Sequence, residues 1–491
     1  MNESGNEAVR AAARAWLHAV CCAAIALLFA SCATPPEYKK PELAMPPKWK
    51  LEAPWREGTP NDAAPKGPWW QRFGDADLDA LEQQALAGSP NLAIASARLA
   101  QARAQLAAAD AGRFPQLGAN VRESRFRISA NRPLTNYNSP NFDTVQYDYV
   151  GLLSASYELD LAGRVRSTIN GAAATLEQTA ADFENTRLVL TADLATAYFN
   201  ARALDIELDV VSRSIALQRQ ALELATARHD LGATSGLDVA QQQALLDSTL
   251  TQVDVLRRQR SIFEHAIGTL TGAGAVTFDL AYKVQVLPPP VVPLGIPSDI
   301  LERRPDVASA ERAMAAANAQ IGVANAAFYP SITLGATLGA ETRYLPALYD
   351  MPSLIWSLGA SVAQTLFDGG RIKANFQAAQ AGYDVTTATY RRVVLTAMQE
   401  VEDGITGMAS LERAYNQALV ANESAQRVLD LANARYEGGV ATYLDVITAQ
   451  QSLLNSERLA AQLLGQRLLS AVLLVKALGG DWQPDGKLAR Q

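Results

Sequence analysis

The side chains able to carry chemistry are few and widely spaced. Cys32 closes the string Leu28-Phe29-Ala30-Ser31-Cys32. Small residues before a thiol resemble the box cut by lipoprotein signal peptidase, which points to a lipid joined covalently to the cysteine. Asp299 with Glu302, Arg303 and Arg304 has the composition of an acid and base set, but a local reading fits better. Ser298 or Asp299 starts a short helix, the charges pair with one another, and Pro305 opens the next helix. Asp238 and Asp445 each stand near glycines and before an apolar run, so either can cap a returning helix. His229 and His265 lie 36 residues apart with no HExxH and, once a leader is removed, no cysteine partner. Hydrolytic-metal and thiol chemistry therefore have no support, and Gly480 through Leu488 lacks the spacing of a phosphate loop. No catalytic, cofactor or metal site is expected, and no enzyme activity.

Residues 1–31 read as an export signal, with Arg10 and Arg14 ahead of an apolar stretch from Ala15 to Ala30 broken only by His18. Its removal takes Cys21 and Cys22 with it. The mature chain then has no thiol pair, which excludes disulfides and zinc together. Ala33, after the lipidated position, is not the Asp that retains bacterial lipoproteins at the inner membrane, so an outer-membrane anchor is expected. Residues 32–69 are rich in proline, from Pro35 to Pro68, and carry Trp49, Trp55 and Trp69. That composition suits an extended surface tether pinned by tryptophan. No later run of about 18 uncharged apolar residues follows, so no transmembrane helix is expected. The 43 Lys and Arg against 50 Asp and Glu leave a net charge of −7, which argues against a nucleic-acid partner.

The chain is written twice. Pro90-Asn91-Leu92 recurs 215 residues later as Pro305-Asp306-Val307, and Phe114-Pro115 resembles Tyr329-Pro330. Further along the offset becomes 207, where Gly163-Arg164 matches Gly370-Arg371 and Leu237-Asp238-Val239 matches Leu444-Asp445-Val446. The difference falls in one loop, which is where a duplicated fold absorbs insertions. Each copy opens with a helix (92–112, 307–327) that stops before an aromatic-proline pair. Periodicity then switches to two, with Leu117, Ala119 and Val121 in one copy and Ile332, Leu334 and Ala336 in the other. These are strands with one apolar face, two per copy. A long proline-free stretch follows (166–229, 373–436), then glycines and a returning helix (238–272, 445–478). At 1.5 Å per residue such a helix approaches about 100 Å, so an elongated protomer is expected. The divisions that result are a first repeat at 70–285, with its strand pair at about 114–161 and its hairpin at about 164–272, and a linker at 286–306. A second repeat occupies 307–480, with strands at about 330–368 and a hairpin at about 371–478, ahead of a tail at 481–491.

Four amphipathic strands cannot close a barrel alone, and open edges are not tolerated in lipid. A symmetric oligomer in which each chain contributes four strands resolves this. A trimer gives 12 strands, and the sequence by itself permits other multiples. The fold class is then α+β, mostly α, with the hairpins forming a helical barrel in the periplasm.

At this point the chain resembles the outer-membrane factor family, the TolC-like exit ducts of tripartite efflux pumps, in its NodT-type lipoprotein branch. The resemblance covers the mature chain. It is carried by the box at Cys32, by Trp69-Trp70-Gln71-Arg72-Phe73-Gly74-Asp75, by the duplicated plan, and above all by Gly295-Ile296-Pro297-Ser298-Asp299-Ile300-Leu301-Glu302-Arg303-Arg304-Pro305-Asp306-Val307. It implies a homotrimer, a 12-stranded barrel in outer-membrane lipid, and docking onto a periplasmic adaptor and an inner-membrane transporter of the resistance-nodulation-division type. It further implies that Asp445 forms a constricting ring, with Leu444 as a partly apolar plug and Thr448 where some members have a second Asp. Asp238 and Tyr436 match positions that lock hairpins together, and Gly232, Gly236, Gly438 and Gly439 match the tips on which adaptors dock. A periplasmic adaptor and a coiled-coil envelope protein are the competing classes. One usually has a single hairpin, and the other needs no alternating strands.

Overall fold

The computed structural model describes residues 67–129, 144–290 and 304–480. Cys32 and the leader, nearly all of the tether, the segment containing Asn131-Arg132-Pro133, the joining string as far as Arg303, and the tail lie outside the described residues. After a 3-10 turn at Trp69–Phe73 the order is α1 (Ala76–Gly88), α2 (Pro90–Asp110), β1 (Gln116–Ile128), β2 (Thr144–Leu159), α3 (Arg164–Asp230) and α4 (Gly236–Thr271). The second copy repeats the plan with α5 (Pro305–Ala326), β3 (Ser331–Thr342), β4 (Leu354–Ala363), α6 (Arg371–Glu437) and α7 (Tyr443–Ala477). The protein is mostly helical, and α3 and α6 are each 67 residues long.

Two compact units are present, and each draws on both copies. The sheet unit takes 102–176 and 313–387, while the helical unit takes the described residues of 42–101, 177–312 and 388–491. Duplication and compactness thus divide the chain differently, because each copy contributes strands to one unit and a hairpin to the other.

In the sheet unit the strands lie in the order β1-β2-β3-β4, all antiparallel, leaving β1 and β4 as edges. Alternation sorts the side chains onto two faces. Leu117, Val121, Leu153, Leu338, Trp356 and Leu358 share one face and stand exposed, Val121 at 88%. The other face carries Asn120, Ser154, Thr337 and Ser357, and Thr337 and Ser357 hydrogen-bond across β3 and β4 at 2.7 Å. An apolar face this large calls for a covering environment. The strand-to-helix corners are built alike. Asp160 accepts from the backbone N–H groups of Val165 (3.0 Å) and Arg166 (2.8 Å), and Asp368 from Gly370 (2.9 Å) and Ile372 (2.8 Å). Gly163 and Gly370 take positive φ there, 77° and 90°.

The helical unit has its core where the tryptophan turn meets the hairpins. Trp69, Phe73, Leu78, Leu194, Phe199 and Ile267 are buried together. Trp69 Nε1 donates to Thr191 Oγ1 at 3.2 Å, and the Tyr198 hydroxyl donates to Asp75 Oδ2 at 2.6 Å. Asp75 meanwhile caps α1 through the N–H groups of Asp77 and Leu78. Asp205 is fully buried and is held by Arg202 at 2.9 Å and Arg260 at 2.6 Å. The backbone N–H of Lys283 donates to the same carboxylate, which binds the chain after α4 back onto α3. Removing either arginine leaves a buried charge short of a partner, which costs several kcal/mol, ~3 to 5. Among the described residues one helix, α7, is long and apolar enough to cross a bilayer by length and composition alone. Half of that stretch is buried within the unit, since Leu464, Leu468, Val472 and Val475 pack inward as a core helix.

Candidate functional site

Asp238, Tyr436, Leu444, Asp445, Thr448 and the four glycines lie where the hairpins turn, within the helical unit, whereas His265 lies near the far end of α4 and Arg304 stands before α5, paired with Asp306 and Glu400. Each turn is a Schellman motif, with the left-handed residue supplied by glycine. In the first, Gly232 has φ 76°, its N–H donates to His229 O at 2.8 Å, and Ala233 N donates to Arg228 O at 2.8 Å. In the second, Gly439 has φ 73°, donating to Tyr436 O at 3.0 Å, and Val440 N donates to Arg435 O at 3.0 Å. Gly438 precedes that turn and bonds to Ala434 O at 3.0 Å, while Gly236 opens α4. Only Gly232 and Gly439 need a conformation that a side chain resists.

The two acidic residues differ. Asp445 closes a capping box: its Oδ2 accepts from Thr442 N and from Thr442 Oγ1, both at 3.0 Å. The capping reading of Asp445 therefore holds, and its side chain still lies on the exposed face. Asp238 is not the cap of α4. Ser235 takes that place, its hydroxyl accepting from Leu237 N at 2.9 Å, and Asp238 sits one turn in with no hydrogen-bond donor among the described residues. Leu444, 55% exposed, shares a helix face with Thr448, whose hydroxyl donates to Leu444 O at 2.8 Å. Thr448 is thus turned onto its own backbone.

Tyr443, which the sequence reading passed over, is the centre of the cluster. Its hydroxyl donates to Gln242 Oε1 at 3.0 Å, and Gln242 Nε2 donates to Gln218 O at 3.0 Å. One chain of bonds therefore crosses from the second hairpin through α4 to α3. The ring of Tyr436 lies 5.1 Å from that of Tyr443, and the Arg228 guanidinium lies 5.4 Å from the centre of the Tyr436 ring. Among the described residues the buried Tyr436 hydroxyl has no hydrogen-bond partner. Burial, then the neighbouring Tyr436, then the charge of Asp238 push the Tyr443 phenol up to about 12. Tyr443 thus stays a neutral donor at any physiological pH. The Tyr436 ring packs on Tyr443 within the second hairpin, and the charge of Asp238, on the first, acts on the same phenol.

The first copy is built alike with smaller parts. His229 stands at the position of Tyr436 and Gly236 at that of Tyr443, and the His229 ring lies where a side chain on Gly236 would begin, 3.6 Å away. The signal for Tyr443 was therefore in the self-comparison, as the bulky residue opposite a glycine. A second tie between hairpins lies further along α7. Arg458 Nε donates to Glu207 Oε1 at 2.8 Å and Arg458 Nη1 to Gln252 Oε1 at 2.8 Å. Among the described residues no group of three His, Cys, Asp or Glu side chains is arranged to hold a metal ion.

Comparison with known proteins follows the same lines. A family model described as outer membrane efflux protein matches residues 81–273 and 296–480. The pyoverdine export outer membrane protein OpmQ of Pseudomonas aeruginosa is 32% identical over 467 residues, 95% of this chain and 97% of that protein. The toluene efflux pump outer membrane protein TtgC of Pseudomonas putida is 31% identical, with 96% of each chain covered. Among solved structures the outer-membrane channel OprN superposes with a TM-score of 0.82 at 27% identity, covering 92% of this chain and all of that one.

Proposed function

Because the chain belongs to the outer membrane efflux protein family, we propose that it is the outer-membrane exit duct of a tripartite efflux pump and passes small organic compounds outward without chemistry of its own. The observation that carries the reading is the sheet: four strands, two open edges, one polar face and one exposed apolar face. Neither edge nor apolar face is stable in water, and both are satisfied when three copies close a 12-stranded barrel in lipid, polar face inward. The lipid on Cys32 anchors the same chain to that membrane. The export of pyoverdine and of toluene by relatives supports a small-molecule cargo, and the driving energy comes from an inner-membrane transporter reached through a periplasmic adaptor.

The hairpin tips are the moving part of this reading. Asp238 and Tyr436 hold the second hairpin against the first, with Tyr443 between them. The unpaired Tyr436 hydroxyl supports this, since a buried phenol without a partner costs about 1 to 3 kcal/mol and gains most from one nearby acceptor. Leu444 and Asp445, exposed on one helix face, narrow the opening. Gly232, Gly236, Gly438 and Gly439 offer backbone to the adaptor.

Native mass spectrometry of the detergent-solubilised mature protein tests the reading, with the N-terminal lipid resolved and Cys32→Ser as the reference. A lipidated trimer, with the lipid lost in Cys32→Ser, is expected. A monomer that persists across detergents leaves four strands without a barrel and overturns it.

A further inference from the structure

Directly opposed residues on the exposed face of the sheet form five apolar rows, from Ile332 and Val362 at the helix-proximal end to Val121, Gly151, Ala340 and Leu354 at the outer end. The span from Ile332 to Ala340 along β3 is roughly 27 Å at about 3.4 Å per residue, close to the apolar band of about 25 Å on barrels in membranes. The outermost of these rows is hollow in the middle. Gly151 and Ala340 stand between Val121 and Leu354, whereas the row below carries Leu153 and Leu338 and the row above Tyr149. Beside the hollow β2 and β3 approach so closely that Gly339 has no room for a side chain, since a Cβ there would strike Gly151 O and the Leu152 backbone. A Cβ on Gly151, by contrast, meets open space.

The connection from β3 to β4 walls this hollow. It runs through two 3-10 turns, Leu345–Tyr349 and Met351–Ser353. From it Leu348, Tyr349, Asp350 and Met351 enclose, with Gly151, Ala340 and Leu354, a cavity of about 350 Å³. The wall is fixed from both ends. The buried Ser353 hydroxyl donates to Ala347 O at 2.7 Å, and the Tyr344 N–H donates to Thr342 Oγ1 at 3.2 Å. An apolar cavity of about 150 Å³ is enough to hold benzene, so this one has room for an alkyl chain. Met351, 79% exposed, is the side chain best able to follow an irregular chain laid against it.

We propose that this cavity seats the acyl chain of a lipid in the outer leaflet of the membrane. The inference rests on the barrel reading above, which puts the apolar rows in lipid and the turns at their outer end. The cavity opens onto those rows, so a chain that enters it leaves apolar surface nowhere along its length. Asp350 is the only charged residue of the lining and belongs to the turns. Its carboxylate repels a phosphate, so the chain, rather than the headgroup, is what the cavity takes.

The purified trimer is reconstituted in bilayers of phosphatidylcholine whose acyl chains carry a mid-chain diazirine, irradiated, and mapped for labelled residues by peptide mass spectrometry. Labelling at residues 348–354 is expected to exceed that at Leu117 and Leu358, which are exposed on the same face outside the cavity. The excess is at least about four-fold, the worth of one further buried methylene. Gly151→Leu fills the hollow and brings labelling there down to the level of the open face, and Ala340→Leu does the same should the first variant assemble poorly. Leu358→Ala leaves the labelling at 348–354 unchanged. Labelling spread evenly over the face, or undiminished in both leucine variants, overturns the proposal. A wild-type chain that does not form trimers fails the barrel reading and takes this inference with it, whereas a trimer labelled evenly sinks the inference alone.

Discussion

The Tyr443 hydroxyl donates to Oε1 of Gln242 at 3.0 Å, a bond that joins the second hairpin to the first beside the turn. Gln242 is fully buried, its amide donates to Gln218 O, and among the described residues its oxygen accepts from Tyr443 alone. Tyr443→Phe orphans that oxygen at a cost of about 1 to 3 kcal/mol, whereas removing both partners costs less. Single-channel recordings in planar bilayers are expected to show Tyr443→Phe opening more often, by roughly 5- to 150-fold in equilibrium constant. Tyr443→Phe with Gln242→Leu falls between that variant and wild type in thermal stability. Unchanged recordings in Tyr443→Phe, or a double variant less stable than the single one, rule out the clasp.

The charge of Asp238, on the first hairpin, and the ring of Tyr436, on the second, both act on Tyr443, and neither has a hydrogen bond from its side chain among the described residues. A lock made of these two is weak by construction, which suits an entrance that a docking partner must open. Asp238→Ala with Tyr436→Phe is expected to raise single-channel conductance in planar bilayers. Conductance equal to wild type sinks the lock while leaving the Tyr443 clasp standing.

The fold was legible wherever a periodicity or a proline carried the information. Alternation from Leu117 to Val121 and from Ile332 to Leu338 marks strands because a strand buries or exposes every second residue. Phe114-Pro115 and Tyr329-Pro330 mark helix ends because proline cannot continue the ladder. Leu190, Leu194 and Tyr198 on α3 and Leu245, Leu246 and Leu256 on α4 recur at helical spacing and are buried. The site was less legible, since hydrogen bonds between residues about 200 apart leave no mark on either segment alone. The same spacing occurs in both hairpins, yet Thr442 and Asp445 close a capping box while Ser235 caps α4 through Leu237 N and leaves Asp238 outside it, so the local pattern alone does not tell the two apart. Tyr443 and Gln242 needed the second hairpin laid on the first before either meant anything.

Asp445 is both cap and exposed charge, and two substitutions separate the roles. Asp445→Asn keeps an oxygen for Thr442 and loses the charge, whereas Asp445→Ala loses both. Thermal unfolding is expected to show Asp445→Ala destabilised by about 0.5 to 2 kcal/mol and Asp445→Asn close to wild type. Reversal potentials under a salt gradient are expected to show both variants less cation-selective, because a ring of carboxylates at a constriction attracts cations. Wild-type selectivity in Asp445→Asn leaves Asp445 as a cap and nothing more.

Glu82 on α1 is fully buried, and among the described residues neither carboxyl oxygen has a hydrogen-bond partner. Burial first, and the nearby Asp79 second, push its carboxyl from 4.5 up to about 9. Between those values the folded chain keeps a proton that the unfolded chain has released. Unfolding therefore sheds a proton in that window, so Glu82 lowers stability as pH rises from 4.5 and its effect levels off above about 9. The slope is at most about 1.4 kcal/mol per pH unit. Glu82→Leu removes the titrating group and fills its place with apolar volume. Thermal unfolding of the detergent-solubilised protein is expected to show Glu82→Leu more stable than wild type at pH 8.5, with a smaller advantage at pH 5.5. An advantage that is flat or shrinks with rising pH means that Glu82 is not held protonated in the core.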